Sequence, residues 1–546
     1  MIILGITHPI SWNNAACILV DGQLIAMVEE ERLNRIKHAP RMAAKLAMEY
    51  CLSEAGVTLE RVDYVAVGFD SATNAALGNL RSEGDILSGL NQAAMWLREG
   101  QTYEKQLPLA GFDRRRVIFV NHHRAHAASS FFASGFSEAN ILSLDGSGGS
   151  ESGILGVGTG TDIRVLTTVS NRGSLGLMYE EITEKLGFRR HSGEGKVMGL
   201  AAYGKPDPAG LPFVRWGGDI PVIDPAARKV FVDSLKLRRK EDPITSAHED
   251  LAATLQDTLE RAAIRMSEWL YQQTGFRRLC MSGGSALNCS MNGKLALLPW
   301  VEAIFIQPAA YDAGTALGAA LQVHVEKTGQ RPAWRMEHAY WGPEFTNEQV
   351  EDALKAFQDI RYYRSDDICA ETAGLLAQGK IVGWFQGRSE VGPRALGNRS
   401  ILADPSRSEM KDRVNNQVKH REPWRPFAPS VLEERMARFV DHPMSSPFMI
   451  LAFDTKLAVR DQIISAAHVD GTIRPQTVSR STNPRYWELI KRFEERTAIP
   501  AVLNTSFNVD SQPIVNTPQE AIDTFLACGI EVLAIGDYLA WKREES

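Results

Sequence analysis

Two histidines four residues apart carry the sharpest chemical signal in this chain. They lie in Asn121-His122-His123-Arg124-Ala125-His126, and the small residues Ala127-Ala128-Ser129-Ser130 follow. A helical run there puts His122 and His126 on one face, where two imidazoles can grip one divalent metal. Asp145 and Asp312 are the carboxylates on offer, each at the mouth of an apolar strand and followed by glycine or small residues. Iron, manganese or zinc with open positions suits such a donor set. The bland alternative is that the histidines pair with each other or face solvent.

Three turns that follow strands form a second signal: Gly5 to Ala16, Asp145-Gly146-Ser147-Gly148-Gly149, and Ser282-Gly283-Gly284-Ser285-Ala286-Leu287-Asn288. Backbone N–H groups in such turns make anion-binding nests, and glycine lets the chain approach a phosphate closely. Any one of them alone is only a turn. Three together, with carboxylates adjacent, suggest a nucleotide cleft of the actin/sugar-kinase type, an analogy of fold that fixes no reaction. A third signal is cationic. Gly387-Arg388-Ser389-Glu390-Val391-Gly392-Pro393-Arg394-Ala395-Leu396-Gly397-Asn398-Arg399-Ser400 follows the apolar run Ile381–Phe385, and Lys419, Arg421, Arg425 and Arg474 come after it. Arginine forks bind phosphate bidentately and lysine adds a point charge. With Asn504-Thr505-Ser506-Phe507-Asn508, these residues suit a phosphate or nucleotide pocket better than a solvated basic face, which rarely interleaves Gly, Pro and Trp in this way.

The elements that must position these residues alternate between strand and helix. Met1–Gly5, Ala15–Val20 and Gln23–Val28 read as strands, with the turn Asp21-Gly22 between the last two. Ala43–Ala55 reads as a helix that stops at Gly56. Val62–Gly68, Val117–Val120 and Ile141–Leu144 read as further strands, and His248–Gln273 as a long amphipathic stretch feeding Leu279–Met281 and Ala303–Gln307. That alternation implies an α/β fold with a mixed sheet. The prolines and glycines of Lys327–Phe345 break the pattern, so residues 1–330 are expected as one domain, 331–350 as a linker and 351–546 as a second domain, with no internal repeat.

Composition bounds the classes. The 546 residues exceed what one core supports, and 44% hydrophobic with 23% charged residues is ordinary for a globular protein. The net charge of -6 gives no field for nucleic acid or an anionic membrane surface. Six scattered cysteines without a C-x-x-C pair suit reduced thiols. The opening MIILGITHPIS has no basic leader or long apolar stretch, and no apolar run reaches the roughly 18 residues that span a bilayer. A cytoplasmic protein is expected.

Read together, the motifs resemble a known family. Val28-Glu29-Glu30-Glu31-Arg32-Leu33-Asn34-Arg35-Ile36-Lys37-His38, the His-His-x-x-His block, Gly195-Lys196-Val197-Met198-Gly199-Leu200-Ala201, the Gly387 to Gly397 string and Leu503-Asn504-Thr505-Ser506-Phe507-Asn508 resemble the O-carbamoyltransferases, among them the nodulation-factor, cephamycin, tobramycin and ansamycin enzymes. The resemblance runs from Ile3 to about Leu539. It implies an N-terminal actin/sugar-kinase-like, ATPase-type domain and a C-terminal YrdC-like α/β domain. The implied reaction forms carbamoyl adenylate from carbamoyl phosphate and ATP with Mg2+, then passes the carbamoyl group to a hydroxyl of a small specialised metabolite, as in antibiotic biosynthesis, releasing AMP.

By the same resemblance, Arg394, Lys419, Arg425, Arg474, Asn504 and Ser506 would line the adenylate-forming pocket. His122, His126, Asp145 and Asp312 would form an iron-type site, Gly283, Gly284 and Asn288 would hold the adenosine end, and Lys37 would face the transferred group. One departure stands out. Where many relatives carry His-Asp in the first loop, this chain has Trp12-Asn13, with no carboxylate between Met1 and Val20. Asparagine cannot serve as a base at neutral pH. His8 is the candidate for that role, the alternatives being a structural His8 with the metal or the leaving phosphate taking the proton. Two other functions stay in view: a tRNA threonylcarbamoyl-type modification enzyme, which the near-neutral charge disfavours, and a nucleotide-binding protein without transfer activity, which the cation set disfavours.

Overall fold

The computed structural model describes residues 1–81, 86–218, 220–509 and 511–543. The chain divides into two compact units, one of residues 1–34 and 38–336, the other of residues 35–37 and 337–546. The stretch expected as a linker, 331–350, ends inside a helix, Asn347–Lys355, which starts under a capping box between Thr346 and Gln349.

The first unit is built from the same five-stranded pattern twice. Strands β1 (Ile2–Ile6), β2 (Ala15–Val20), β3 (Gln23–Glu29), β4 (Tyr64–Val67) and β5 (Val117–Phe119) lie in the order β3-β2-β1-β4-β5. Strands β6 (Glu138–Gly148), β7 (Glu151–Thr159), β8 (Asp162–Ser170), β9 (Arg278–Ser282) and β10 (Ala303–Ile306) lie in the order β10-β9-β6-β7-β8. In each sheet the first three strands form an antiparallel meander, and the last two add parallel to the first. Hairpins join antiparallel strands with tight turns; at Asp21-Gly22 both residues have positive φ (49° and 78°), which matches the twist of the strands. Parallel steps need crossovers, and helices supply them: Lys45–Glu54 before β4, Ser246–Thr274 before β9 and Cys289–Ala296 before β10. The doubling is one of topology, which explains why the sequence shows no repeat. Helices His122–Ser134 and Ala313–Thr328 pack on each other and carry the residues of the site at their starts.

The second unit centres on one eight-stranded mixed sheet. Its order is Ile360–Arg364, Tyr538–Lys542, Val532–Ile535, Val382–Phe385, Arg399–Ala403, Ala501–Ser506, Ala428–Leu432 and Gln476–Val478. Val382–Phe385 with Val532–Ile535, and Ala428–Leu432 with Gln476–Val478, pair in parallel, and the other neighbours are antiparallel. Val382–Phe385, Arg399–Ala403 and Ala428–Leu432 are buried along their whole length, as expected of strands covered on both faces. Helices Pro484–Thr497 and Pro518–Ala527 each begin with proline behind a capping Asn483 or Thr517. The six cysteines are free thiols and buried. Among the described residues no helix is long and apolar enough to cross a membrane.

Candidate active site

Asn121 caps helix His122–Ser134, its side chain accepting the Arg124 N–H, so His122 leaves from the first turn and His126 from the next. Their Nε2 atoms are 3.2 Å apart. Asp145 Oδ2 lies 3.2 Å from His122 Nε2 and 3.7 Å from His126 Nε2. Asp312 Oδ1, at the head of helix Ala313–Thr328, lies 3.7 and 3.9 Å from the same two atoms. All four donor atoms fall within 4.8 Å of one another. With metal–ligand bonds of about 2.1 Å, neighbouring donors in one coordination sphere stand about 3 to 3.5 Å apart and opposite ones about 4.2 Å, so these donors converge on a place for a single divalent ion that small side-chain adjustments would complete. Two imidazoles and two carboxylates accept iron, manganese or zinc alike.

The atoms facing away from the centre are tied to backbone. Asp145 Oδ1 accepts the Gly284 N–H at 2.9 Å, and Asp312 Oδ2 accepts the Trp12 N–H at 3.1 Å. His122 Nδ1 is 3.3 Å from Gly68 O; a proton there leaves the lone pair on Nε2, as a ligand requires. Electrostatics agree with the geometry. Burial disfavours the charged form of His122, but the hydrogen bond to Asp145 and the charges of Asp312 and Asp145 outweigh it and raise its pKa. Burial disfavours the Asp145 carboxylate too, yet hydrogen bonds from His122 and His126 hold its pKa well below the usual range.

Around this cluster the expected residues fall into different settings. His8 is 1% exposed, its ring 5.5 Å from that of Phe69 and 6.4 Å from that of Phe119. Burial, with the charge of His122, lowers its pKa to about 4, and its Nδ1 accepts the Ile10 N–H at 3.2 Å. Gly283 has φ +86°, and a Cβ there would sit 2.2 Å from Leu144 O, so only glycine lets the turn bring Gly284 N–H to Asp145. Asn288 caps helix Cys289–Ala296 through the Met291 N–H at 3.0 Å and exchanges two hydrogen bonds with Gln256, at 2.9 and 2.8 Å. Lys37 belongs to the short segment grouped with the second unit. It is flanked by left-handed residues Arg35 (φ 62°), His38 (67°), Ala39 (39°) and Arg41 (56°). Strain of this density is typical of functional segments. In the first loop Asn13 Nδ2 lies 2.9 Å from His38 Nδ1.

No motif pointed to His191. Its Nδ1 is 3.3 Å from Glu180 Oε1, and its ring is 4.3 Å from that of Trp12, whose backbone holds Asp312. Burial lowers its pKa, while the hydrogen bond to Glu180 and the charges of Glu180, Glu194 and Asp312 raise it further, for a net increase. Spatial adjacency alone reveals it.

In the second unit, Lys419 ends a π-helical turn, Val414–Lys419, a distortion common at functional sites. It is 3% exposed. Its Nζ donates to Ser506 O, and lies 3.2 Å from Ser506 Oγ, 2.9 Å from Asn508 O and 2.8 Å from Asn508 Oδ1, all uncharged oxygens. Asn504 Nδ2 reaches Ala395 O at 3.2 Å, beside Arg394, and Gln476 Oε1 at 3.2 Å, two residues from Arg474. Among the described residues Asn504 Oδ1 and Arg474 Nε are buried without a hydrogen-bond partner. Arg425 stands 3.9 Å from Glu422. Arg388 donates to Gly342 O and Trp341 O at 3.1 and 3.2 Å, so it shapes the chain around it.

Comparison with known proteins covers both units. The domain described as "Carbamoyltransferase N-terminus" matches residues 2–321, and "Carbamoyltransferase C-terminus" matches residues 373–542. The chain belongs to the carbamoyltransferase family. Nodulation protein NolNO of Sinorhizobium fredii is 42% identical over 557 residues, covering 100% of this chain and 81% of that protein. Nodulation protein NolO of Bradyrhizobium diazoefficiens is 44% identical over 442 residues, covering 78% of this chain and 80% of that protein. Among solved structures, component A of (R)-2-hydroxyglutaryl-CoA dehydratase from Acidaminococcus fermentans aligns with a TM-score of 0.36 and 16% identity, over 60% of this chain and 100% of that chain. In this carbamoyltransferase-family chain, the four expected metal ligands come together, as do Lys419 and Ser506, and Asn504 reaches the backbone beside Arg394.

Proposed function

We propose that the protein is an ATP-dependent O-carbamoyltransferase acting in two steps. In the first, carbamoyl phosphate, ATP and one water give carbamoyl adenylate, phosphate and pyrophosphate. In the second, a hydroxyl oxygen of a small specialised metabolite attacks the carbamoyl carbon, the bond from that carbon to the adenylate oxygen breaks, and AMP leaves. We assign the first step to the second unit, read as YrdC-like. Arg394, Lys419, Arg425 and Arg474 would neutralise the two anionic substrates there, and Asn504 and Ser506 would supply neutral hydrogen bonds. The second step falls to the first unit, whose repeated sheet supports the actin/sugar-kinase-like reading, with Gly283, Gly284 and Asn288 toward the adenosine end.

His122, His126, Asp145 and Asp312 would hold the divalent ion, best read as Fe(II). Bound there, the ion supplies Lewis-acid polarisation of a carbonyl. Backbone bonds from Gly284 to Asp145, from Trp12 to Asp312 and between His122 and Gly68 would keep these donors in place for it. His8, with a pKa near 4, is a weak base, so in this reading the departing AMP phosphate takes the hydroxyl proton. The observation that carries the proposal is the conjunction, in one carbamoyltransferase-family chain, of a four-ligand cluster with a buried lysine set among neutral oxygens. The test is to incubate the protein with ATP, Mg2+, carbamoyl phosphate and Fe(II) and to follow pyrophosphate, then to screen hydroxylated metabolites for a mass gain of one carbamoyl group. Pyrophosphate release that did not depend on carbamoyl phosphate would sink the first step.

A further inference from the structure

The loop from Gln386 to Arg399 contains a carboxylate that none of these roles uses. Glu390 is 4% exposed. One of its oxygens, Oε1, accepts three backbone N–H bonds, from Leu396 at 2.8 Å, Asn398 at 2.8 Å and Arg399 at 3.1 Å. Neighbouring N–H groups converging on one point make an anion-binding nest, and here the anion is a side chain of the same loop. The opposite charge is solvated in the complementary way. Arg399 is fully buried. Its Nη1 donates to Gln386 O, Gly387 O and Asn398 O at 2.6, 3.0 and 3.0 Å, and its Nη2 donates to Pro343 O at 3.1 Å. Buried charge persists only when hydrogen-bonded, so the pair immobilises N–H and carbonyl groups of the loop together.

The bond from Glu390 to the Leu396 N–H closes a ring around residues 391–395, and Arg394 lies inside it. The span has no helix or strand of its own and includes Gly392, at φ 102°. Its far end is fastened from the other side: Leu396 O accepts from Gln476 Nε2 at 2.6 Å and from the Tyr340 hydroxyl at 2.7 Å, and Gly397 O accepts from Trp384 Nε1 at 2.9 Å. Across this span the ring closure stands where helix or strand bonds would otherwise be.

We propose that Glu390 is a positioning residue whose carboxylate, acting as an internal anion, closes the loop and sets Arg394 for the anionic donor, carbamoyl phosphate. This rests on the reading of Arg394 given above. A consequence is peculiar to the nest: if the carboxylate is removed, three converging N–H groups form a vacancy that a small carboxylate can refill.

The test uses the full chain and needs no acceptor, because it follows pyrophosphate release from ATP and carbamoyl phosphate. Glu390→Ala is expected to raise KM for carbamoyl phosphate by about tenfold or more while KM for ATP stays within about threefold. Formate should restore much of the loss, and chloride at equal ionic strength should not. Glu390→Gln, which offers the nest a neutral oxygen, should fall between wild type and Ala. Adding Glu390→Ala to Arg394→Ala should cost little beyond Arg394→Ala alone, because one residue acts through the other. An unchanged KM for carbamoyl phosphate in Glu390→Ala would overturn the proposal. So would a lowered melting temperature with an equal loss in kcat and in both KM values that formate leaves in place, which marks a merely structural role. If the unmodified protein released no pyrophosphate, the proposed function would fall first and this role with it.

Discussion

In the first unit, Asp145 and Asp312 each commit one carboxylate oxygen to a backbone N–H and turn the other toward His122 and His126. In the second, Lys419 is set among oxygens of Ser506 and Asn508, and Arg474 Nε is buried without a hydrogen-bond partner among the described residues. In the proposed reading one site would take up a cation, the other an anion. In each, backbone groups help to hold the charged side chains in place, and such preorganisation is what lets a site act on charge without reorganising. The contrast also suggests that the two chemistries can be broken separately.

The largest expected separation comes from Lys419→Met against His126→Ala. Lys419→Met keeps the bulk, removes the charge and leaves buried oxygens without their donor; carbamoyl-phosphate-dependent pyrophosphate release should fall by about a hundredfold or more. His126→Ala should leave that rate within about threefold. Equal losses in the two variants would dissolve the division of labour. Next in size, Asp145→Asn should weaken divalent-metal binding by more than the 10- to 100-fold typical of residues behind the ligands, read by calorimetry with Mn(II). Unchanged affinity would remove Asp145 from the ligand set.

The pH dependence of stability sharpens the same contrast within the first unit. His122 has a raised pKa, so in metal-free protein its contribution is full below about 6.5 and is lost as pH rises through its folded value. His8 and His123 have theirs lowered, to about 4 and about 3, chiefly by burial. The unfolded chain takes up protons that they refuse, so their contribution is present above about 6.5 and is lost as pH falls toward 4 and then 3, worth of order 3 kcal/mol for His8. Thermal melts in chelator should therefore be highest near pH 6.5. Because ligand imidazoles must be deprotonated, the extra stability given by Mn(II) should grow from pH 6 to 8. A Mn(II) effect that shrank over that range would contradict the ligand assignment.

Gly283→Ala tests how the turn serves the site. The strained φ and the clash with Leu144 O predict a loss of about 2 to 3 kcal/mol, with weaker metal binding because Gly284 would no longer reach Asp145. Loss of stability with full metal affinity would show that Asp145 is held by its own strand.

Much of this was legible in the sequence. The extent of β2, the turn at Asp21-Gly22 and the His122/His126 face followed from local pattern, because a hairpin turn and a 3.6-residue repeat are written in adjacent residues. Strands β7 and β8 were not foreseen. The glycines of β7 carry no strand signal, yet Gly158 faces the ring of Phe131, 2.6 Å from where a Cβ would be, and a Cβ on Gly153 would lie 2.4 Å from Ser143 O. They are there for close packing, and that is a tertiary fact. Asp145 and Asp312 are read as partners from strand mouths alone, yet Asp145 lies within β6, and the repeated sheet that brings the two together has no sequence signature. Among the arginines of the C-terminal loop, sequence does not separate Arg399, which grips its own carbonyls, from Arg394.

The smallest expected effect at the metal concerns Tyr311, the residue before Asp312. Its hydroxyl donates to Glu29, which is also 3.3 Å from Arg32, and Arg32 pairs with Glu31, whose other oxygen accepts the His38 N–H. A buried charge network thus runs from the segment bearing His38 to the neighbour of a metal ligand. If Asp312 were aimed through this network, removing the hydroxyl would be felt at the metal. Asp312 already has the Trp12 N–H and the start of its own helix to hold it, and Glu29 keeps Arg32. Tyr311→Phe should therefore cost about 1.5 to 3 kcal/mol in stability, the worth of one hydrogen bond to a charged group, and change Mn(II) affinity by less than about threefold. A tenfold loss of affinity would instead make the Glu29 network part of the metal site, and the contrast between the units would then lie in how far each site's support extends.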